Sequence, residues 1–374
     1  MARAKRVCFL YIAQHHQVWH SLSVAVAMAK LWPHIEVEIA ATTPELLDYA
    51  YSLLSELGGA DIKLVLLPPA WLRRLGGGGP PKAPMLIANA WRLAKYDAVI
   101  TPERTTALLR RLGVRHPLLV YTQHGAGDRE GPFEPRLKLF DLVMAAGPKQ
   151  RDRMLREGWV TPASCAMVGY PKFDLVDALP PRVAPRFDEQ RPIVLYNPHF
   201  HPELSSWSRW GREVLDAFAQ DDRYNLIFAP HIRLFETASS DERAGFKAYA
   251  EHPHIHIDLG GPAAADMTYT KLADLYLGDV SSQVYEFLRT PKPCLFLNAS
   301  GADWRGDPSY HHWLYGPVLD AADHLGEAID MAFATHDDYR QAQIQGIAET
   351  FDVQNTPASE RAARAIIEKL ERAT

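Results

Sequence analysis

Five short stretches place polar side chains where apolar runs end. They are Gln123-His124-Gly125-Ala126-Gly127-Asp128-Arg129, Gly169-Tyr170-Pro171-Lys172-Phe173-Asp174, Asn197-Pro198-His199-Phe200-His201, Ala229-Pro230-His231-Ile232-Arg233 and Gly278-Asp279-Val280-Ser281-Ser282. The last follows the apolar run from Leu275 and precedes Val284, Phe287 and Leu288, whose i, i+3, i+4 spacing predicts a helix with a buried stripe. Asp279 and Ser281 are both of the type that caps a helix N-terminus. Free backbone N–H groups, two hydroxyls and the positive end of a helix dipole together make an anion site. In the first stretch His124 stands at a strand tip, and Gly125 and Gly127 let the backbone come close to a ligand. Lys172 and Arg233 add cations, and His231 stands at another strand tip.

The elements that must position these residues come from the alternation of apolar runs. Arg6–Ile12 is a near-continuous apolar run, which marks a strand buried on both faces of a parallel sheet. The loop Ala13–His20 follows it with three histidines, and Ser21 begins the helix Leu22–Leu31. Strands are predicted at 36–41, 62–67, 97–101, 117–122 and 141–146, with helices at 44–57, 103–112 and 149–158 between them. Pro68 to about Pro84, with Gly76–Gly79, reads as a surface loop without phosphate-loop spacing. Residues 177–191, rich in proline and charge, read as a linker. Beyond it strands at 193–196, 224–229, 254–259, 275–278 and 294–297, and helices at 207–219, 269–274, 320–335 and 357–373, repeat the alternation. In open α/β sheets ligands bind beyond the carboxyl ends of strands, where these stretches stand.

Length and charge bound the class. A chain of 374 residues exceeds one ordinary core, so the expectation is an N-terminal domain at 1–180, a second at 190–356 and a closing helix at 357–374. The formal charge, 40 − 45 = −5, argues against nucleic acid as the main partner. Cys8, Cys165 and Cys294 lie in apolar runs without metal spacing and read as free thiols of a reducing compartment. The basic start Met1–Arg6 leads into an apolar run too short for a signal or membrane segment, so the expected location is cytoplasmic. Peripheral contact with the inner face of the cell membrane stays compatible with that.

Taken in order, Gln123-His124-Gly125, Gly169–Asp174, Ala229–Arg233 and Gly278–Ser282 resemble the motifs of the CDP-glycerol glycerophosphotransferase family, the polymerases and primases of teichoic acid synthesis. The resemblance covers roughly residues 120–300. It implies an α/β protein of GT-B fold, two doubly wound Rossmann-like domains facing an interdomain cleft, with the C-terminal helix packed back on the N-terminal domain. It implies a transferase of the cell envelope moving a phosphoglycerol group from a CDP-activated donor such as CDP-glycerol to a hydroxyl acceptor. His124 would be the general base, suited by an ordinary imidazole pKa near 6.5. His231 would hold or protonate the pyrophosphate at the CDP leaving group. Ser281 and Ser282 would bind the donor phosphates, Glu286 the nucleotide or its ribose, and Lys172 and Arg233 would supply charge. Gly125, Asp128, Pro198, His199 and Asp279 complete the substrate-binding set.

This sequence departs from the family pattern in several places. Gln123 replaces the family's tryptophan, Ala126-Gly127-Asp128 replaces its Thr-Pro-Leu, and Lys172 puts a point charge where the family has a forked guanidinium. A different acceptor is therefore expected, whether glycan, lipid or small molecule. The alternative is a glycosyltransferase or epimerase of the same fold using a UDP-sugar. The histidine groups 15/16/20, 199/201, 252/254/256 and 311/312 lack the spacing of known metal sites, and no Asp-x-Asp is present. The expectation is no cofactor and no metal.

Overall fold

A computed structural model describes residues 3–12, 14–74, 80–128, 134–180 and 182–372. Ala13, the glycine run 76–79 and Arg129, all named above, lie outside the described residues. The chain divides into two compact units, one of residues 1–126, 130–180 and 348–374, the other of 127–129 and 181–347.

Unit 1 is built on a parallel seven-stranded sheet. Its strands are β1 (Arg6–Tyr11), β2 (Glu36–Ala41), β3 (Ile62–Leu66), β4 (Ala98–Thr101), β5 (Leu118–Tyr121), β6 (Leu142–Ala145) and β7 (Cys165–Met167), in the order β3-β2-β1-β4-β5-β6-β7. β1 is buried from Val7 to Tyr11, as its unbroken apolar run requires. The order reverses between β1 and β4, so loops after these two strands diverge and leave room above the sheet. The 3-10 helix His15–His20 fills that position after β1, and Pro102-Glu103 follows β4.

The last helix, Ala358–Arg372, buries Ala362, Ala363, Ile366, Ile367 and Leu370. It belongs to unit 1, packing on the helices Leu22–Leu31 and Pro171–Ala178. The approach to it is tied down when Asp352 N donates to Ala146 O (2.8 Å) and Ser359 N to Asp174 Oδ2 (2.6 Å). Gly147 is required there, because a Cβ would stand 2.4 Å from Thr350 O.

Unit 2 is a parallel six-stranded sheet. Its strands are β8 (Ile193–Asn197), β9 (Asn225–Phe228), β10 (Ile255–Ile257), β11 (Leu275–Gly278), β12 (Cys294–Leu297) and β13 (Val318–Leu319), in the order β10-β9-β8-β11-β12-β13. The reversal falls between β8 and β11, which pair from Val194↔Leu275 to Asn197↔Gly278. The turns after those two strands therefore stand side by side.

Several elements differ from the sequence reading. Lys82–Leu93 is a helix where the loop was expected to run to about residue 84, because Met85, Leu86 and Leu93 supply a buried stripe. Pro171–Ala178 is a helix rather than a turn, its proline sitting at the first helical position, where no N–H is needed. Residues 320–324 are not helical, and the helix spans Leu325–Ala334. A further helix, His336–Thr350, follows without its own apolar stripe. The chain joins unit 1 again from Ala348, earlier than residue 357. Cys8 and Cys294 are buried, Cys165 half-buried, and all three are free. No helix among the described residues is long and apolar enough to cross a membrane.

Candidate functional site

In unit 1 His124 leaves the tip of β5 behind a residue of unusual backbone, since Gln123 has φ +60°. A non-glycine residue holds that conformation only when its surroundings fix it. Gln123 Nε2 donates to Met144 O at 2.8 Å, and the side chain is buried. Gln150 then staples the next residue, donating through Nε2 to Gly125 O (3.0 Å) while its Oε1 accepts from Ala146 N (3.0 Å). The turn that aims His124 is thus held on both sides.

The imidazole of His124 has a defined tautomer. Its Nδ1 lies 2.7 Å from Pro102 O, and a carbonyl can only accept, so Nδ1 carries the proton. Burial lowers its pKa below the ordinary 6.5, against the raising effects of the Pro102 carbonyl and of Glu103. The neutral ring at working pH therefore carries its lone pair on Nε2, the arrangement a general base needs.

Around it is a polar cluster that sequence reasoning named only in part. The His16 ring is centred 6.3 Å from that of His124. His20 is buried, and burial, then the charge of Lys172 and the neighbouring His124 and His16, hold its pKa well below 6.5. Lys172, expected among the phosphate cations, is a buried residue of unit 1 beside His20. Glu103 was not singled out from the sequence. It receives Lys82 Nζ (2.6 Å), Gln17 Nε2 (3.2 Å), Thr105 N (3.1 Å) and Thr105 Oγ1 (2.9 Å). Burial alone would raise its pKa, but Lys82 and Thr105 outweigh it and bring the carboxyl down to about 2. Its place just past the apolar run 97–101, where a parallel strand ends, was the available signal. A narrow recess lined by His20, Thr122, Gln123, Gly125, Gln150 and Tyr170 leaves about 10 Å³ for the centre of a water, room for about one such molecule.

In unit 2 the turns after β8, β9 and β11 carry the remaining residues. His231 Nδ1 accepts from Arg233 N (3.2 Å), and His199 Nδ1 accepts from His201 N (3.0 Å). Each neutral ring therefore keeps its proton on Nε2 and presents a donor there. The two rings are 5.5 Å apart, with Phe200 at 4.4 Å from His199 and 4.6 Å from His231. Arg233 is exposed, its guanidinium 4.1 Å over the Phe200 ring, and no carboxylate among the described residues pairs with it. Pro198 is buried, and its carbonyl accepts from His231 N (3.0 Å).

The Gly278–Ser282 turn departs from the sequence reading. Its helix is Gln283–Phe287, five residues, so its dipole contributes little, and Ser282 stands at the cap without a capping bond. Asp279 does not cap it. The carboxylate is wholly inside, accepting from His199 N (2.8 Å), Val280 N (2.7 Å), Ser206 N (2.6 Å) and Ser206 Oγ (2.9 Å). Burial pushes this carboxyl up to about 6 even though those four bonds pull the other way. Asp279 thus braces the β8 turn and the start of the helix Trp207–Gln220. Ser281 is buried, and its hydroxyl accepts from Gln283 N (3.3 Å). Ser282 is exposed, and among the described residues neither its hydroxyl nor the N–H of Ser281 or Ser282 donates to a protein acceptor. The turn's remaining donors are those groups. Glu286 is buried one turn on.

His312, named from the sequence only in the 311/312 pair weighed as metal ligands, has a different place in the structure. Its Nδ1 lies 3.1 Å from Asp128 Oδ2 and its Nε2 3.1 Å from Asp279 O, both acceptors. Both ring nitrogens thus face oxygen acceptors, the buried Asp128 carboxylate on one side and the Asp279 carbonyl on the other. Tyr285 Oη donates to the same Asp128 oxygen, and Trp313 Nε1 donates to Asp279 O (3.0 Å). Asp128, expected to bind substrate, is in this network a buried anchor within unit 2. Gly127 beside it is needed for close approach, since a Cβ would lie 3.0 Å from Ser282 Cβ.

Among the described residues no group of three His, Cys, Asp or Glu is placed to hold a metal ion. The alternating histidines are otherwise engaged: His254 Nε2 meets Phe218 O (2.8 Å) and His256 Nε2 meets Tyr269 Oη (3.0 Å).

No family model matches the sequence, and no curated protein matches it. Solved structures do match in fold. The wall teichoic acid polymerase TagF aligns with a TM-score of 0.67 at 13% identity over 99% of this chain and 90% of that one. The same polymerase soaked with CDPG gives 0.66. S. aureus MnaA with UDP gives 0.63 at 14% identity over 98% and 97%. A UDP-GlcNAc 2-epimerase from Neisseria meningitidis bound to UDP-GlcNAc gives 0.57 at 13% identity over 98% and 100%. Two parallel doubly wound sheets that match these structures over nearly the whole chain give this protein the GT-B fold.

Proposed function

We propose that this protein transfers a glycerophosphate-type group from a CDP-activated donor, such as CDP-glycerol, to a hydroxyl acceptor. The observation that carries the reading is the His124 imidazole, neutral, with Nδ1–H spent on Pro102 O and Nε2 left as the acceptor. The acceptor O–H proton passes to that nitrogen as the oxygen bonds to the glycerol-bearing phosphorus. The bridging P–O bond of the pyrophosphate breaks, so atoms balance only when CMP departs, rather than CDP. His231, with its proton on Nε2, donates to the leaving phosphate oxygen. His199, Arg233, the Ser282 hydroxyl and the N–H groups of Ser281 and Ser282 neutralise phosphate charge. Phosphoryl transfer asks mainly for such positioning and charge stabilisation. A fold shared with a polymerase that has been soaked with CDPG supports the donor class.

The test is a thermal-shift panel of CDP, UDP, GDP and CDP-glycerol, followed by assay of CMP release with glycan, lipid and small hydroxyl acceptors. CDP should raise the melting temperature, and Ser281→Ala with Ser282→Ala should remove the shift. No CDP shift in the wild type refutes the reading. A second reading, UDP-sugar chemistry on the same fold, is favoured by the comparable fit to MnaA with UDP. A UDP preference with sugar release seen by NMR would establish it instead.

A further inference from the structure

We propose that His312 is a positioning residue for the donor diphosphate, acting through the backbone of the turn Asp279–Ser282. This role rests on the donor site proposed above and adds what aims its donors. Among the described residues the N–H groups of Ser281 and Ser282 meet no protein acceptor. What they can do for a phosphate depends on where they point, because a donor stabilises charge only along its own direction. The helix after them, Gln283–Phe287, is too short for its dipole to make up for a poor aim.

That direction is set one peptide earlier. The peptide joining Asp279 to Val280 is held on both edges. On one edge Val280 N donates to Asp279 Oδ1 (2.7 Å), and the same carboxylate is fixed by His199 N and by Ser206 N and Oγ. On the other edge the Asp279 carbonyl faces two side chains, His312 Nε2 at 3.1 Å and Trp313 Nε1, which donates at 3.0 Å. A carbonyl oxygen has two lone pairs, and here each has its partner. A planar peptide pinned at both N–H and C=O cannot swing, so the two N–H groups that follow it keep one direction.

His312 is itself held. Its Nδ1 lies 3.1 Å from Asp128 Oδ2, its backbone N donates to the same oxygen (3.3 Å), and Tyr285 Oη donates there too. The ring stands edge-on to Tyr285 and Phe296, with centroids at 6.3 and 5.6 Å. His312 and Trp313 are carried by the 3-10 helix Pro308–Tyr315, which Asp307 caps by accepting from Ser309 N (2.8 Å). All these residues belong to unit 2. Burial obliges the ring nitrogens of His312 and Trp313 to find partners. The partner they share is the carbonyl next to the open donors, so the contact governs aim as well as packing.

The experiment is isothermal titration of the full chain with CDP and cytidine, and with UDP and uridine. In the wild type the diphosphate should bind about a hundredfold more tightly than its nucleoside, as two charge-assisted contacts allow. His312→Asn can still meet Asp128 but falls short of the Asp279 carbonyl, and it should cut that ratio about tenfold with nucleoside affinity unchanged. Trp313→Phe removes the other donor and should act in the same direction. His312→Gln brings an amide N–H to the carbonyl and should keep the ratio within about threefold of the wild type. Collapse of the ratio for UDP and uridine in place of CDP and cytidine would support the positioning role while refuting the cytidine-based donor. An unchanged ratio in His312→Asn, with only the melting temperature lowered, would overturn the positioning role and leave the donor reading standing. Equal loss in His312→Asn and His312→Gln would overturn it as well. Wild-type protein that binds diphosphate and nucleoside alike would overturn both.

Discussion

Replacing Glu103 with glutamine isolates the electrostatic support beneath His124. The carboxyl is held at about 2 against an ordinary 4.5, chiefly by Lys82 and Thr105 working against burial. A depressed folded-state pKa means stability that is present above 4.5 and lost as pH falls through 2. It amounts to about 3 kcal/mol at pH 7, about 1.4 kcal/mol at pH 3 and about 0.4 kcal/mol at pH 2. Glutamine keeps the shape and imitates the protonated form, so the gap between wild type and Glu103→Gln should shrink along that curve. A single unfolding midpoint would mix two units. The assay is therefore urea unfolding from pH 7 to pH 2.5, read by pulsed hydrogen exchange and mass spectrometry on peptides of unit 1. A gap that stays constant between pH 7 and pH 3 would refute the ion pair as the source. A gap below about 0.5 kcal/mol at pH 7 would do the same, since it would place the pair among solvated surface contacts.

Three further outcomes are expected. The acid limb of kcat/KM should lie below pH 6.5, because burial keeps His124 neutral, and Glu103→Gln should move it lower still; His124→Ala should cost about 10²–10⁴-fold in turnover with CDP binding intact. Asp128→Ala should destabilise unit 2 by about 1–3 kcal/mol in the same unfolding assay, since it leaves the buried Tyr285 hydroxyl and His312 Nδ1 without their shared partner, and a loss under about 0.5 kcal/mol would contradict that role. Ser281→Ala should cost about 1 kcal/mol of stability through the lost Gln283 contact, whereas Ser282→Ala should leave stability alone and weaken the CDP thermal shift.

Periodicity in the sequence was enough to place most strands, because a parallel strand buried on both faces must be apolar throughout, as Val7–Tyr11 and Leu275–Leu277 are. It was also enough to put His124, His199, His231 and Asp279 at strand tips, where an open parallel sheet leaves room for ligands. Helices escaped it where their signals were short or masked. Lys82–Leu93 follows a glycine and proline run that reads as loop, and Pro171 reads as a turn although it begins a helix.

What tertiary structure decided is which of these residues hold the protein and which are left for a ligand. Strand order sets this, since β1 meets β4 and β8 meets β11 only after folding. Glu103 thereby comes under His124, and Asp279 is drawn inward to brace His199 and Ser206. Ser281 and Ser282 are adjacent and chemically alike in the sequence. One is buried with its hydroxyl accepting from Gln283 N, and the other faces water. Asp128 and His312, 184 positions apart, become a pair only through the packing of unit 2. No local pattern could have announced that contact, since its energy depends on burial the chain acquires as a whole.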